Sequence, residues 1–116
     1  MLNENDILIL EKLVEHCDRV TETISKVSID EFWVNRDTQD IVLFNIFQVG
    51  EYAKRLSADL INTYNAIDWK NIKGMRDIIG HCYDSVDYEI VWDTANNDIP
   101  KIHDYVLKII KENQTN

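Results

Sequence analysis

The chain has 116 residues, 45% of them hydrophobic, a length that supports one domain with a single core over residues 1–116. With only 3 Gly and 1 Pro, turn-forming residues are too few for an all-β fold of this size, so helices are favoured. The formal net charge of -9 argues against broad electrostatic affinity for nucleic acid, because non-specific binding depends on Lys and Arg neutralising phosphates. Any contact with RNA must therefore be local.

The two cysteines, Cys17 and Cys82, lie far apart and lack the spacing of a metal-binding pair. No charged-then-apolar leader opens the chain, and no apolar run approaches the roughly 20 residues that cross a bilayer. We therefore expect a reduced, cytoplasmic protein with no membrane segment, metal or cofactor.

The first helix is predicted from Asn5 to about Val27, because apolar residues recur there at spacings of three and four. His16 belongs to the opposite, charged face, and we assign it no chemistry. Ser28 to Glu31 then has the form of a capping box, which predicts a short helical turn whose aromatic residues Phe32 and Trp33 cover the bundle.

The second long helix is predicted from Asp37 or Thr38 to about Tyr64. Its apolar line consists of Val42, Ile46, Val49, Ala53, Leu56 and Leu60, and Ile41, Phe44, Phe47 and Tyr52 widen that face. Such a wide apolar face predicts a central helix that other elements contact on more than one side.

The remaining elements follow from their capping residues. Asp68 is a good N-cap for a third long helix from Trp69, and Ser85 or Asp87 can cap a further helix from Tyr88. The run from Asn96 to Pro100 is predicted to break that helix, with Asp98 as N-cap of the last one. The sum is an all-α, antiparallel bundle of four to six helices.

Within the third helix, Gly74 to Tyr83 gathers an arginine, an acid, a histidine and a tyrosine. At about 100° per residue, Ile72, Met75, Ile78, Ile79 and Cys82 form the buried side. Arg76 and Tyr83 stack at its edge, and Lys70, Lys73, Asp77, His81 and Asp84 form another line. Gly80 leaves a notch into which Arg76 and His81 could both reach.

These groups suit phosphodiester cleavage. Arginine is a fixed, forked cation that binds phosphate, and histidine exchanges a proton near neutral pH. With an RNA 2′-hydroxyl as internal nucleophile, His81 would move the proton and Arg76 would hold the charge on phosphorus, while Lys70 and Lys73 retain the backbone. The alternative is structural: surface salt bridges at Arg76 and Asp77, an incidental His81, and a Tyr83 that packs.

Several motifs in order resemble the HepT-like branch of the HEPN domains. They are Gly50-Glu51-Tyr52-Ala53-Lys54-Arg55-Leu56-Ser57, Trp69 to Arg76, His81-Cys82-Tyr83, Val86-Asp87, Ile90-Val91-Trp92 and Asn97-Asp98-Ile99-Pro100. The resemblance covers roughly residues 40–110.

This resemblance implies an all-helical, homodimeric, metal-independent RNA endonuclease, the toxin of a toxin-antitoxin pair. The family's Arg-x-x-x-x-His-x-Tyr motif falls on Arg76, His81 and Tyr83. By resemblance, Arg76 and His81 are catalytic, and a small partner nucleotidyltransferase, the MntA-type antitoxin, attaches AMP to Tyr83. The added phosphate would occupy the phosphate site beside Arg76 and block RNA.

Two positions depart from the family pattern. Asp77 stands where Asn is common, and its carboxylate would repel phosphate yet could orient His81 and raise its pKa. Gly80 replaces a larger apolar residue. A rival of another class therefore stays open: a non-catalytic helical partner or substrate-binding subunit of a two-component nucleotidyltransferase.

Overall fold

A computed structural model describes residues 2–80 and 86–114, with only the helical backbone described for 76–80. Within these ranges the chain forms helices and no strand, which confirms the all-α prediction. The helices are α1 (Glu4–Ile24), α2 (Ile29–Val34), α3 (Arg36–Lys54), α4 (Ala58–Thr63), α5 (Trp69–Gly80), α6 (Tyr88–Asp93) and α7 (Ile99–Glu112), with a π-helical turn, Thr94–Asp98, between α6 and α7.

The long helix α3 packs against α1 and also against α5, while α7 packs against α1. Asp6 of α1 bonds to Ser57 just past α3, whereas His16 of α1 bonds to Asn45 in the middle of α3, so α1 and α3 run antiparallel. The core between the helices is mostly apolar. Its members with no exposed surface include Leu10, Leu13, Cys17, Val20, Phe32, Val42, Val49, Ala53, Ile99 and Val106.

Most of the predicted starts of helices are confirmed by their capping bonds. The Ser28 hydroxyl and the Glu31 carboxylate form the reciprocal capping box of α2. The Asp68 carboxylate accepts a bond from the Asn71 N–H at 3.0 Å, and Asp87 caps α6. These caps involve residues two or three apart, which is why the sequence alone identifies them.

The prediction of one helix from about residue 37 to Tyr64 is wrong. The chain leaves α3 at Arg55 and starts α4 at Ala58, with Ser57 as N-cap. The buried Asp6 carboxylate accepts bonds from the Ser57 N–H at 3.0 Å and from its hydroxyl at 2.5 Å. This long-range contact satisfies groups at the new helix start and stabilises the break.

Asp98 occupies the N-cap position of α7 as predicted, but its side chain does not cap the helix, and the predicted break from Asn96 to Pro100 is wrong. The chain continues from α6 through the π-helical turn into α7, and Asp98 has helical dihedral angles with no side-chain capping bond. Pro100 does lie in the first turn of α7, as predicted. The Asp98 carboxylate is therefore not used to start the helix.

Three aromatic or aliphatic side chains expected to be covered are exposed in the single chain. On α3, Ile41 is 40% and Phe44 57% exposed, although the residues of the apolar line that they widen are buried. On α2, Phe32 is buried as expected, but Trp33 is 44% exposed and contacts Tyr88 edge-on. The packed side of α3 is thus narrower than predicted.

Candidate functional site

Helix α5 is fixed at its start by two hydrogen bonds. Asp68 caps it through Asn71, and the buried Trp69 indole N–H donates to the Tyr64 carbonyl oxygen at 2.6 Å. Along the helix Ile72 and Met75 are 2% and 4% exposed. The predicted buried side is confirmed for these two residues, so the helix has a defined orientation on the core.

The helical backbone continues through Arg76, Asp77 and Gly80. Position 76 lies about 40° around the helix from position 72 and about 100° from position 75, at the edge of the packed side. The side chain of Arg76 lies outside the described part of the structure, so its placement stays a prediction. His81, Cys82, Tyr83 and Asp84 lie outside the described residues, so their proposed roles stay predictions.

The first part of α5 is a local cationic region in an acidic chain. From Trp69 to Arg76 the sequence has three cations and no acid. Lys70 is exposed and Lys73 is half-buried. Two lysines near a helix N-terminus oppose the helix dipole, so the dipole does not account for them.

Gly74 lies on α5 between Lys73 and Met75, and a Cβ atom built there has no neighbouring atom within 4 Å. Close packing therefore does not require glycine at this position. The surface next to the two lysines is open instead.

A cleft of about 410 Å³ separates the first half of α5 from the start of α7. Its apolar lining includes Ile72 and Met75 of α5 and Ile102 of α7. The Tyr105 ring also lines it, and the Tyr105 hydroxyl accepts a bond from the Ala66 N–H at 3.3 Å. Met75, which lines the cleft, directly precedes Arg76 in the sequence.

Besides Tyr105, four polar side chains line the same cleft: Asp68, which caps α5, and Asn71, Asp98 and Lys101. Asn71 and Lys101 are exposed and Asp98 is half-buried. Within residues 2–80 and 86–114, none of these last three side chains forms a hydrogen bond or an ion pair. Sequence reasoning missed this group, because it took Asp98 for a cap. The sequence does contain a signal for it. Asn71 and Met75 are four residues apart and Asp98 and Lys101 are three apart, so each pair lies on one face of its helix.

His16, assigned to a solvated face, is instead half-buried between α1 and α3. Its Nδ1 lies 2.8 Å from the Asn45 Oδ1, and the Asn45 amide donates to the Ile41 carbonyl oxygen at 2.7 Å. Because the amide donates elsewhere, its oxygen faces His16, and Nδ1 must be the donor. The ring also stacks on Tyr52 at 5.5 Å. These bonds give His16 a structural role.

Cys17 is the thiol that the described structure places in the core, at 0% exposure. Burial, with a smaller effect from the Asp18 carboxylate, raises the pKa of the Cys17 thiol from 9.0 to about 12. A thiol in this state is protonated near neutral pH and is a poor nucleophile.

Among the described residues, no group of three or more His, Cys, Asp or Glu side chains is placed to hold a metal ion. None of the helices in the same part of the chain is both long and apolar enough to span a membrane.

Comparison with known proteins gives a consistent family. A family model described as "Ribonuclease HepT-like" matches residues 13–109. The protein named "Putative RNase TTE0752" of Caldanaerobacter subterraneus subsp. tengcongensis is 30% identical, with 89% of this chain and 92% of the relative covered. "Probable ribonuclease HepT" of Thermococcus cleftensis is 28% identical, with 88% and 93% covered.

One relative is longer than this chain. A Methanocaldococcus jannaschii protein named "Gamma-glutamylcyclotransferase and putative RNase MJ0434" is 33% identical over 89% of this chain, which spans only 46% of that protein. No solved structure matches.

Proposed function

Because the chain belongs to the family of HepT-like ribonucleases, we propose that it is an RNA endonuclease that uses Arg76 and His81. The observation that carries the proposal is the position of α5. The helix is anchored at Trp69, buries Ile72 and Met75, and carries the local excess of cations that RNA contact requires in an acidic protein.

The reaction needs a base, an acid and a cation. His81 takes the proton from the 2′-hydroxyl, whose oxygen attacks the adjacent phosphorus. The P–O2′ bond forms and the P–O5′ bond breaks, and the protonated His81 returns its proton to the departing 5′ oxygen, which leaves a 2′,3′-cyclic phosphate and a 5′-hydroxyl. Arg76 stabilises the charge that gathers on the phosphoryl oxygens. This chemistry proceeds without a metal ion or a cofactor.

Neighbouring residues have supporting roles. Lys70 and Lys73 bind the flanking phosphates, and their exposed or half-buried positions near the start of α5 support this. Asp77 is four residues before His81, so it orients the imidazole and favours its charged form. Gly80 leaves room for the substrate beside Arg76.

The test is incubation of the purified protein with a mixed-sequence RNA in the presence of a chelator. We expect cleavage by the native chain and none by His81→Ala. Intact RNA, under conditions in which pancreatic ribonuclease cuts it, would contradict the nuclease proposal. If a partner nucleotidyltransferase then required this chain to transfer AMP to a different molecule, the chain would be better described as a non-catalytic subunit.

The protein further acts in the cytoplasm as the toxin of a toxin-antitoxin pair, whose antitoxin is a small MntA-type nucleotidyltransferase. The Tyr83 hydroxyl attacks the α-phosphorus of ATP, an O–P bond forms, and pyrophosphate leaves. The AMP phosphate beside Arg76 excludes RNA by charge and bulk. The sequence spacing supports this, since Arg76 and Tyr83 are seven residues apart, two helical turns where the helix continues.

Mass spectrometry tests the modification. The native chain incubated with ATP and an MntA-type nucleotidyltransferase should gain the mass of AMP and lose nuclease activity. Tyr83→Phe should gain no mass and stay active. Addition of AMP to Tyr83→Phe would move the acceptor to another residue.

A homodimer completes the proposal, because a twofold axis can bring two copies of the α5 motif together. The exposure of Ile41 and Phe44 on the otherwise packed α3 supports it, since a second copy would cover them. Light scattering should give twice the chain mass for the native protein and a lower mass for Phe44→Glu. A monomeric native protein would contradict the dimer and leave the nuclease proposal standing.

A further inference from the structure

The cleft between α5 and α7 has the features of a small ligand site. It combines an apolar lining of Ile72, Met75 and Ile102 with the ring of Tyr105. Its volume of about 410 Å³ falls within the range of known ligand pockets. An aromatic ring with an apolar floor is the surface on which unpaired bases stack in single-stranded nucleic-acid complexes.

Besides Asp68, which caps α5, the cleft has polar side chains that can form hydrogen bonds with the edge of a base. Asn71 provides a carboxamide donor and acceptor, Asp98 a carboxylate acceptor and Lys101 an ammonium donor. In the described chain these side chains have no hydrogen-bond partner, so a ligand does not have to displace an internal bond. Asp98 also ends a π-helical turn, and such turns are frequent at functional sites.

The cleft adjoins the proposed cleavage site. Asn71 is five residues before Arg76 on one helix, about 7.5 Å along the axis, and Met75 lines the cleft directly before Arg76. An RNA strand whose phosphate lies at Arg76 can therefore place a neighbouring base in the cleft.

We propose that the cleft formed by Asn71, Asp98, Lys101 and Tyr105 is a nucleobase-binding subsite that selects a base carrying an exocyclic amino group. This rests on the proposed function, because it takes RNA as the substrate. A carboxylate accepts hydrogen bonds and donates none. Asp98 therefore pairs with the amino group of adenine, cytosine or guanine, and uracil has no such group.

Binding of short oligonucleotides tests the subsite apart from cleavage. In a His81→Ala background, fluorescein-labelled oligoadenylate, oligocytidylate and oligouridylate of eight nucleotides are titrated by fluorescence anisotropy. We expect adenylate and cytidylate to bind more tightly than uridylate. Asp98→Asn should weaken adenylate and cytidylate binding by about fivefold or more and should narrow the difference from uridylate.

Matched variants separate the subsite from general electrostatics. Asp93→Asn removes the same charge from an exposed residue outside the cleft, and it should leave the base preference unchanged. Lys101→Ala should weaken binding of all three oligonucleotides more than Lys108→Ala does, since Lys108 lies two turns further along α7. If the Asp98→Asn and Asp93→Asn variants showed the same base preference, the proposed subsite would be wrong.

Cleavage by the native chain distinguishes failure of the subsite from failure of the nuclease. If the native chain cleaves RNA and Asp98→Asn keeps the base preference, only the subsite is wrong. If the native chain neither cleaves RNA nor, as His81→Ala, binds the oligonucleotides, both proposals fall. Binding that depends on Asp98 without any cleavage would retain the subsite and remove the nuclease.

Discussion

The α1–α3 contact and the α5–α7 cleft differ in where their polar side chains find partners. Between α1 and α3, Asp6 bonds to Ser57 and His16 to Asn45, and both Asp6 and Asn45 are 2% exposed. In the cleft, Asp98 and Lys101 have no partner among the described residues. Buried polar groups matched within the protein hold the fold together, whereas Lys101 is exposed and Asp98 half-buried, so both side chains can reach a ligand.

The largest expected effect is the loss of RNA cleavage when the proposed catalytic residues are replaced. Arg76→Ala and His81→Ala should each lower the rate of RNA cleavage by roughly 10²–10⁴-fold, because each removes a group that acts in the transition state. The melting temperature should change little. Rates from initial time courses, with Lys108→Ala as a control on α7, check this. A rate within threefold of the native chain would remove that residue from the mechanism.

The second expected effect is slow alkylation of Cys17, which lies on α1. Its pKa of about 12 should leave roughly a thousandfold less thiolate at pH 8 than a thiol with the ordinary value gives. Peptide-resolved alkylation should therefore be slow at Cys17 in the folded protein and fast after denaturation. Equal rates in both states would show that the α1 core opens readily.

The raised pKa of Cys17 also makes the stability of the fold depend on pH. The folded-state pKa lies above the unfolded value of 9.0, so the buried thiol stabilises the fold fully below pH 9. This contribution is lost as the pH rises from 9 through about 12.

A smaller effect is expected at Asp6. Asp6→Ala leaves the N–H and the hydroxyl of Ser57 without their partner, which should lower the free energy of unfolding by about 2 kcal/mol. Calorimetry should show a lower melting temperature, while the cleavage rate well below that temperature stays the same. Glu11→Ala, which removes an exposed acid from the same helix, is the control. If Asp6→Ala lost RNA cleavage but kept its stability, the α1–α3 contact would act in cleavage and not only in the fold, which would contradict this comparison.

These regions also show how far the sequence predicts the structure. The caps at Ser28, Asp68 and Asp87 were predictable because each bonds within three residues. The break after α3 was not, because it is stabilised by Asp6, a residue 51 positions away from Ser57.

The candidate site was likewise predictable only in part. The order of motifs predicted α5 as its helix, and the buried side at Ile72 and Met75 is confirmed. The cleft could not be predicted, since it depends on how α7 lies beside α5. The role of Asp98 depends in turn on the π-helical turn before α7, where no capping bond forms.

The most direct test of the central claim is the chemistry of the RNA ends. The native chain is incubated in chelator with an oligonucleotide that it cuts at one position, and with the same oligonucleotide carrying a single 2′-deoxy nucleotide there. Attack by the 2′-hydroxyl predicts a 2′,3′-cyclic phosphate, a 5′-hydroxyl and no cleavage at the deoxy position. Products with a 5′-phosphate, or equal cleavage of the deoxy substrate, would contradict the roles given to Arg76 and His81.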